Sequence, residues 1–147
     1  MNLKQVVLGV DIGGTNTVFG LVDEEGNCFL KDEIPTEGHL PADSLLNRLF
    51  NTFEKKYKLA RDKFELIGIG LGAPSANYFK GTVENPNNLN WGHVNIVELI
   101  NKYYDLPVAV TNDANVAAIG EMKYGIAKNF NNFIEITLGT GLGSGLV

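Results

Sequence analysis

The stretch Gln5–Asp23, QVVLGVDIGGTNTVFGLVD, decides the fold. Two apolar, β-branched runs, QVVLGVD (5–11) and TVFGLVD (17–23), flank a pair of glycines. Such runs bounded by turn residues read as strands. The link between them, Asp11-Ile12-Gly13-Gly14-Thr15-Asn16, carries more than a turn requires. Gly-Gly alone would make a hairpin. Here the glycines also let backbone N–H groups come close to an anion. Thr15 and Asn16 add side-chain donors, and Asp11 stands at a strand end where it can hold Mg²⁺, directly or through water, beside phosphates. The Glu24-Glu25-Gly26-Asn27 turn then leads into CFLKDEI (28–34), a more polar third strand, so the chain opens with an antiparallel meander.

Beyond the meander the period changes. In residues 41–58, Leu45, Leu46, Leu49, Phe50, Phe53 and Tyr57 share one face at helical spacing, and Pro41 suits a first helical position. ELIGIGL (65–71) reads as a buried parallel strand. Residues 74–92, rich in Pro, Asn and Gly, read as a long loop or short hairpin. Residues 94–104 read as a helix, and Pro107–Thr111 as another buried strand. Residues 114–124 form a helix with Ala114, Ala117, Ala118 and Gly120 on one side, small enough for close packing against a sheet. FIEITL (133–138) is a final strand running into GTGLGSGLV. The expected order is β-β-β-α-β-α-β-α-β, an α/β fold with a mixed sheet and helices on both faces.

Composition narrows the function classes. At 147 residues the chain has the length of one ordinary domain. With 44% hydrophobic and 20% charged residues it has the make-up of a packed globule, not a disordered chain. No apolar run approaches the roughly 18 residues a membrane span needs. The start, MNLKQVVLGVD, lacks the long apolar stretch of a signal peptide. A cytoplasmic protein without a membrane partner is expected. Twelve basic against seventeen acidic residues give a net charge of −5, the reverse of a phosphate-reading nucleic-acid binder. The single cysteine, Cys28, forms no internal disulfide and is expected to be packed in the third strand. His39 and His93, in polar loops, are expected to be solvated.

Three further segments can carry chemistry. Thr137–Gly145, TLGTGLGSG, alternates glycine with hydroxyl residues after a strand. Alone it reads equally as a bulged hairpin, but together with the first glycine loop it can face one nucleotide. Thr111-Asn112-Asp113-Ala114-Asn115 lies at a strand-to-helix junction, where α/β folds place their ligand crevice. Helix capping is the simpler use of Asn112 or Asp113. The doubled Asn-Asp also suits a substrate with vicinal hydroxyls, Asn as donor and acceptor and Asp as base. Gly72–Asn77 and Gly81–Trp91 offer many amides and the single tryptophan, fitting either a solvent loop or a site for a hydroxyl-rich ligand. Glu121 lies two helical turns, roughly 12 Å, beyond Asp113 and reads as a packing partner. No G-x-x-x-x-G-K-[ST] is present, and the dinucleotide-like Gly68–Ala73 lies within a strand that runs into Pro74.

DIGGTN, a G-A-P loop followed by G-T-V and N-L-x-W, then NDAN, then TLGTGLGSG, in that order from about Val6 to Val147, resemble the ROK family of sugar kinases and related repressors, bacterial glucokinases above all. The resemblance implies an actin-like ATPase domain of ribonuclease H-like topology. It implies an ATP- and Mg²⁺-dependent enzyme that phosphorylates a hexose, glucose first among them. Asp113 would be the base that deprotonates the sugar hydroxyl. Asn112, Asn87, Ser75 and Asn77 would bind the sugar. Asp11, Gly13, Gly14, Thr15 and Asn16 would form the first phosphate loop, with Asp11 toward Mg²⁺. Gly139, Thr140, Gly141 and Gly143 would form the second. The E-x-G-H sugar motif and the cysteine-rich zinc motif of such kinases do not occur in these residues, and GAPS replaces the commoner G-x-P-G-P. Residues 1–147 are therefore expected to be the N-terminal lobe of a two-lobed kinase, a homodimer when full-length. A non-catalytic sugar-sensing regulator and an actin-like ATPase without a sugar substrate are the alternatives.

Overall fold

The computed structural model describes residues 3–138 and 142–147. The opening meander is β1 (Lys4–Ile12), β2 (Asn16–Val22) and β3 (Cys28–Pro35). Helix α1 (Ala42–Tyr57) follows, then the long strand β4 (Phe64–Ala73). Strands β5 (Ala76–Asn77), β6 (Thr82–Glu84) and β7 (His93–Asn95) precede helix α2 (Ile96–Asn101). Strand β8 (Val108–Asn112) runs straight into helix α3 (Asp113–Tyr124), and β9 (Ile134–Leu138) and β10 (Leu142–Leu146) end the chain. The main sheet has the order β3-β2-β1-β4-β8. Its first three strands are antiparallel, and β1, β4 and β8 are parallel. The expected α/β class and mixed sheet are present.

The element order differs from the expected one in three places. The segment expected to be a loop or short hairpin does form the hairpin, β5 with β6, but β7 adds a third strand that was not expected, making a separate antiparallel sheet. Two- and three-residue strands carry no readable period, and their pairing reaches forward to residues 93–95. The helix expected over 94–104 is only Ile96–Asn101, because Val94 is paired to Val83 and the Asn95 side chain accepts from the Glu98 amide, capping the helix there. The strand expected to be last, β9, stands outside the main sheet and, among the described residues, pairs only with a further strand, β10.

Alternation along β1 explains the layers. Val6, Leu8, Val10 and Ile12 point to one face and are buried in a core with Leu45, Leu46, Leu49, Phe50 and Phe53 of α1 and Ile96 and Ile100 of α2. Burying each of these large side chains contributes about 1.5–3 kcal/mol. The apolar stripe of α1 is thus the one its spacing predicts, with Pro41 as N-cap instead of first helical residue. On the opposite face α3 approaches β4, where a Cβ added at Gly72 would lie 3.2 Å from Val116. The register places Gly20, Gly9, Gly70 and Ala109 side by side across four strands of that face. Their lack of bulk leaves an open groove of about 1000 Å³ bounded by Val7, Val18, Val22, Val116, Ile119 and Tyr124.

Two of the small residues of α3, Ala114 and Ala118, meet the terminal hairpin. Ala114 and Ala118 are buried, and a Cβ on Gly145 would lie 2.6 Å from the Ala118 Cβ. The hairpin turns its small and polar positions, Glu135, Thr137, Gly143 and Gly145, inward. Ile134, Ile136, Leu138, Leu142 and Leu146 face outward and are 63–84% exposed. Cys28 is exposed, contrary to the expected packing: β3 is an edge strand, and the Cys28 thiol donates to the Leu30 carbonyl at 3.3 Å. His39 and His93 are exposed, as expected. Among the described residues no helix is long and apolar enough to cross a membrane.

Candidate functional site

The carboxyl-terminal ends of β1, β4 and β8 meet in one row. Asp11 is paired with Gly72, Gly72 with Thr111, and Ala73 with Asn112. Glycine at the centre of the row leaves the space above β4 free, with the Asp11 Oδ1 3.6 Å from where a Gly72 Cβ would stand. Asp113 follows at the first position of α3. Two carboxylates, one on β1 and one on the helix that follows β8, thus share one end of the sheet. Partial withdrawal from water and then the neighbouring Asp113 charge raise the pKa of Asp11 above the ordinary 3.8.

Helix α3 begins where the capping argument places it. The Asn112 Oδ1 accepts from the Ala114 amide at 3.0 Å, and the Asp113 Oδ1 shares the same amide at 2.9 Å. Capping therefore uses Asn112's oxygen and leaves its Nδ2 for another partner. Asp113 is exposed and keeps Oδ2 for a second role. Glu121 ties off the other end of α3, accepting from the Ile126 amide at 2.9 Å, which is the packing role expected of it.

The first glycine loop is a tight turn closed by the Gly13 amide to the Asn16 carbonyl at 3.0 Å. A Cβ on Gly13 would lie 2.8 Å from the Asn16 oxygen, so only glycine fits. The amides of Gly14 and Thr15 have no hydrogen-bond partner among the described residues, the condition for receiving an anion. Gly14 faces the amide-rich loop, its Cβ position 3.3 Å from the Asn88 Cβ. Asn87 is exposed beside it.

The remaining expected ligands are placed differently. Ser75 sits in the β4–β5 turn at φ 54°, its carbonyl accepting from the Glu84 amide. The Asn77 Oδ1 accepts from the Phe79 and Lys80 amides at 3.1 and 3.3 Å, so this side chain builds the β5–β6 turn. Gly143 lies within β10, opposite Thr137, where a Cβ would be 3.3 Å from the Ala114 Cβ; it is a close-packing residue of a strand, not a loop residue. Gly139, Thr140 and Gly141 lie outside the described residues.

Two further residues belong here. Asn88, within the amide-rich segment but not singled out there, lines the approach to the glycine loop. Thr36, 1% exposed, donates from Oγ1 to the Gly13 carbonyl at 2.7 Å. Its signal was the alternation of β3: Ile34 points inward, and two residues later so does Thr36.

Among the described residues no group of three or more His, Cys, Asp or Glu side chains could hold a metal. Mg²⁺ asks for less, because it keeps several waters and takes one or two carboxylates together with substrate phosphates. Asp11, a carboxylate under repulsion beside free backbone amides, fits that requirement.

The ROK family model matches residues 7–147. The glucokinase of Streptomyces coelicolor is 38% identical over 143 residues, covering 97% of this chain and 43% of the relative. The xylose repressor of Bacillus spizizenii is 29% identical, covering 95% of this chain and 36% of the repressor. A ROK family glucokinase from Streptomyces griseus, solved with glucose and AMPPNP, superposes with a TM-score of 0.83 at 33% identity, over 97% of this chain and 44% of that one. The chain thus spans less than half the length of these relatives.

Proposed function

The chain belongs to the ROK family, and on that premise we propose that it forms the N-terminal lobe of an ATP-dependent hexose kinase, with glucose as the first substrate to test. One observation carries the reading: Asp113, Asp11 and the Gly13–Thr15 turn stand together at one end of the sheet, a carboxylate base beside an anion-receiving loop. Similarity to glucokinases, one of them solved with glucose and AMPPNP, supports it. The two-lobed arrangement is supported by the length of these relatives and by the outward apolar face of β9 and β10, which suits burial against further structure.

In this mechanism Asn112 Nδ2 and Asn87, with the Ser75–Asn77 turn as a wall, orient the sugar. Asp113 Oδ2 accepts the proton of the attacking hydroxyl as its oxygen bonds to the γ-phosphorus. The bond to the β-γ bridging oxygen breaks, and ADP leaves. The amides of Gly14 and Thr15 hold phosphate oxygens, and Gly139, Thr140 and Gly141 are the expected second phosphate loop. Mg²⁺, when bound through Asp11, supplies charge neutralisation on the phosphates. Such transfer depends on positioning and charge more than on covalent chemistry. Proton acceptance by Asp113 is worth roughly 10²–10⁴ in rate.

A coupled ADP-release assay on the full-length protein, scanning hexoses and N-acetylhexosamines, tests this reading. Sugar-dependent ADP release supports it. Similarity to xylose repressors favours a second reading, a sugar-sensing regulator. Saturable sugar binding without ADP release would select that one.

A further inference from the structure

Residues 35–40 touch both ligand-facing loops. On one side the Thr36 hydroxyl donates to the Gly13 carbonyl at 2.7 Å, and the Thr36 amide donates to the Thr15 carbonyl at 2.8 Å. The Gly13 carbonyl can only accept, so the hydroxyl proton of Thr36 is committed there. Thr17 Oγ1, 2.9 Å from Thr36 Oγ1, is therefore the donor of that pair. Thr17 and Thr36 are 0% and 1% exposed, and neither has a place in the phosphoryl transfer itself. On the other side the Asn90 amide donates to the Gly38 carbonyl at 2.6 Å, and the Trp91 indole to the Leu40 carbonyl at 3.0 Å. A Cβ on Gly38 would lie 2.7 Å from the Asn88 oxygen.

Helix α1 fixes the segment from behind. The Arg48 guanidinium donates to the Pro35 carbonyl at 2.6 Å and the Thr36 carbonyl at 2.9 Å, and it pairs with Glu37 at 3.2 Å. Glu37 is held at φ 52°, a left-handed conformation that a glutamate keeps only when its surroundings enforce it.

We propose that Pro35–Leu40, pinned by Arg48, binds the Gly13–Gly14 loop and the Asn87–Trp91 loop into one rigid unit. Thr36 is its positioning residue. A ligand on either loop then raises the affinity of the other loop for its own ligand. The proposal rests on reading the first loop as the phosphate site and the second as part of the sugar site. Coupling of this kind is reciprocal, so glucose should tighten MgATP binding by the same factor as MgATP tightens glucose, about tenfold.

The first test needs no ligand. Hydrogen exchange on the full chain compares wild type, Thr36→Val and Thr36→Ser. In Thr36→Val, the Asn90 amide and Trp91 indole should exchange about tenfold faster than any uniform acceleration reported by Leu8 and Val10 in the core. Thr36→Ser should restore the wild-type pattern. Acceleration no greater than that of the core amides would overturn the rigid unit. The second test measures MgATP affinity of the full-length protein with and without glucose, through the emission of Trp91. Wild type and Thr36→Ser should show the tightening, whereas Thr36→Val and Gly38→Ala should lose it. A wild type that binds both ligands independently overturns the coupling and leaves the kinase reading standing. A wild type that binds neither overturns the kinase reading and the ligand coupling, and exchange still decides whether the two loops move as one.

Discussion

Asp11, on β1, and Asp113, at the start of α3, stand on opposite sides of β4, yet after partial burial the Asp113 charge is the second cause that raises the Asp11 pKa across the glycine-bearing end of that strand. Their pairing yields the first prediction. Asp113→Asn should lower turnover by about 10²–10⁴ and largely spare glucose binding. The same variant should lower the Asp11 carboxyl pKa, read by NMR titration. Near wild-type turnover would remove Asp113 from the role of base.

Asp11→Asn separates metal from sugar. The Mg²⁺ concentration for half-maximal turnover should rise, and glucose affinity should stay as in wild type. Titrating Mg²⁺ at saturating ATP checks this. An unchanged Mg²⁺ requirement would leave the metal without its carboxylate.

Asp23 contributes to the acid limb of stability. Burial by itself would raise its carboxyl, but bonds from Lys4 at 2.6 Å and from the Asn27 side chain and amide outweigh it and hold the pKa well below 3.8. A lowered carboxyl pKa means the unfolded chain binds the proton more readily. The stabilisation is present above the ordinary value and is lost as pH falls below it. Asp23→Asn should therefore destabilise at neutral pH and flatten the dependence below about pH 4 in urea denaturation.

Two glycines in one region should respond oppositely. Gly145→Ala puts a methyl 2.6 Å from the Ala118 Cβ and 2.7 Å from the Ala114 carbonyl, an overpacking cost of about 1–3 kcal/mol. Gly120, on the same helix as those alanines, has nothing within 4 Å of its Cβ position. Gly120→Ala should gain about 0.5–1 kcal/mol from helix propensity. Thermal denaturation of the two variants gives the signs directly.

The parts of this fold legible in the sequence were those with a sustained period. The stripe Leu45–Tyr57 defined α1 and its buried face, and the runs around DIGGTN defined the meander. The short hairpin β5–β6 was one of two readings open in the sequence, but its extension to β7 was not legible, since Thr82 and Val83 pair there with Asn95 and Val94, more than ten positions ahead. At the site, the Asn112 cap and the Asp113 position followed from local chemistry. The turn-building role of Asn77 did not, because an asparagine facing a ligand and one facing its own backbone are spelled alike. For Thr36 the alternation of β3 signalled burial but not the bond it makes: its partner, the Gly13 carbonyl, lies 23 residues away and carries no side-chain signature.

The inverted hairpin β9–β10 sets the handling of this chain in solution. Leu142 stands opposite Leu138 and Leu146 opposite Ile134 on the outward side, an aliphatic strip on a sheet of two strands with no further strand beside either among the described residues. Such a strip is a template for strand-to-strand assembly between molecules. The net charge of −5 opposes that assembly only while ionic strength is low enough to leave it unscreened. Salt, usually added to keep proteins dispersed, should here drive the 147-residue chain to associate.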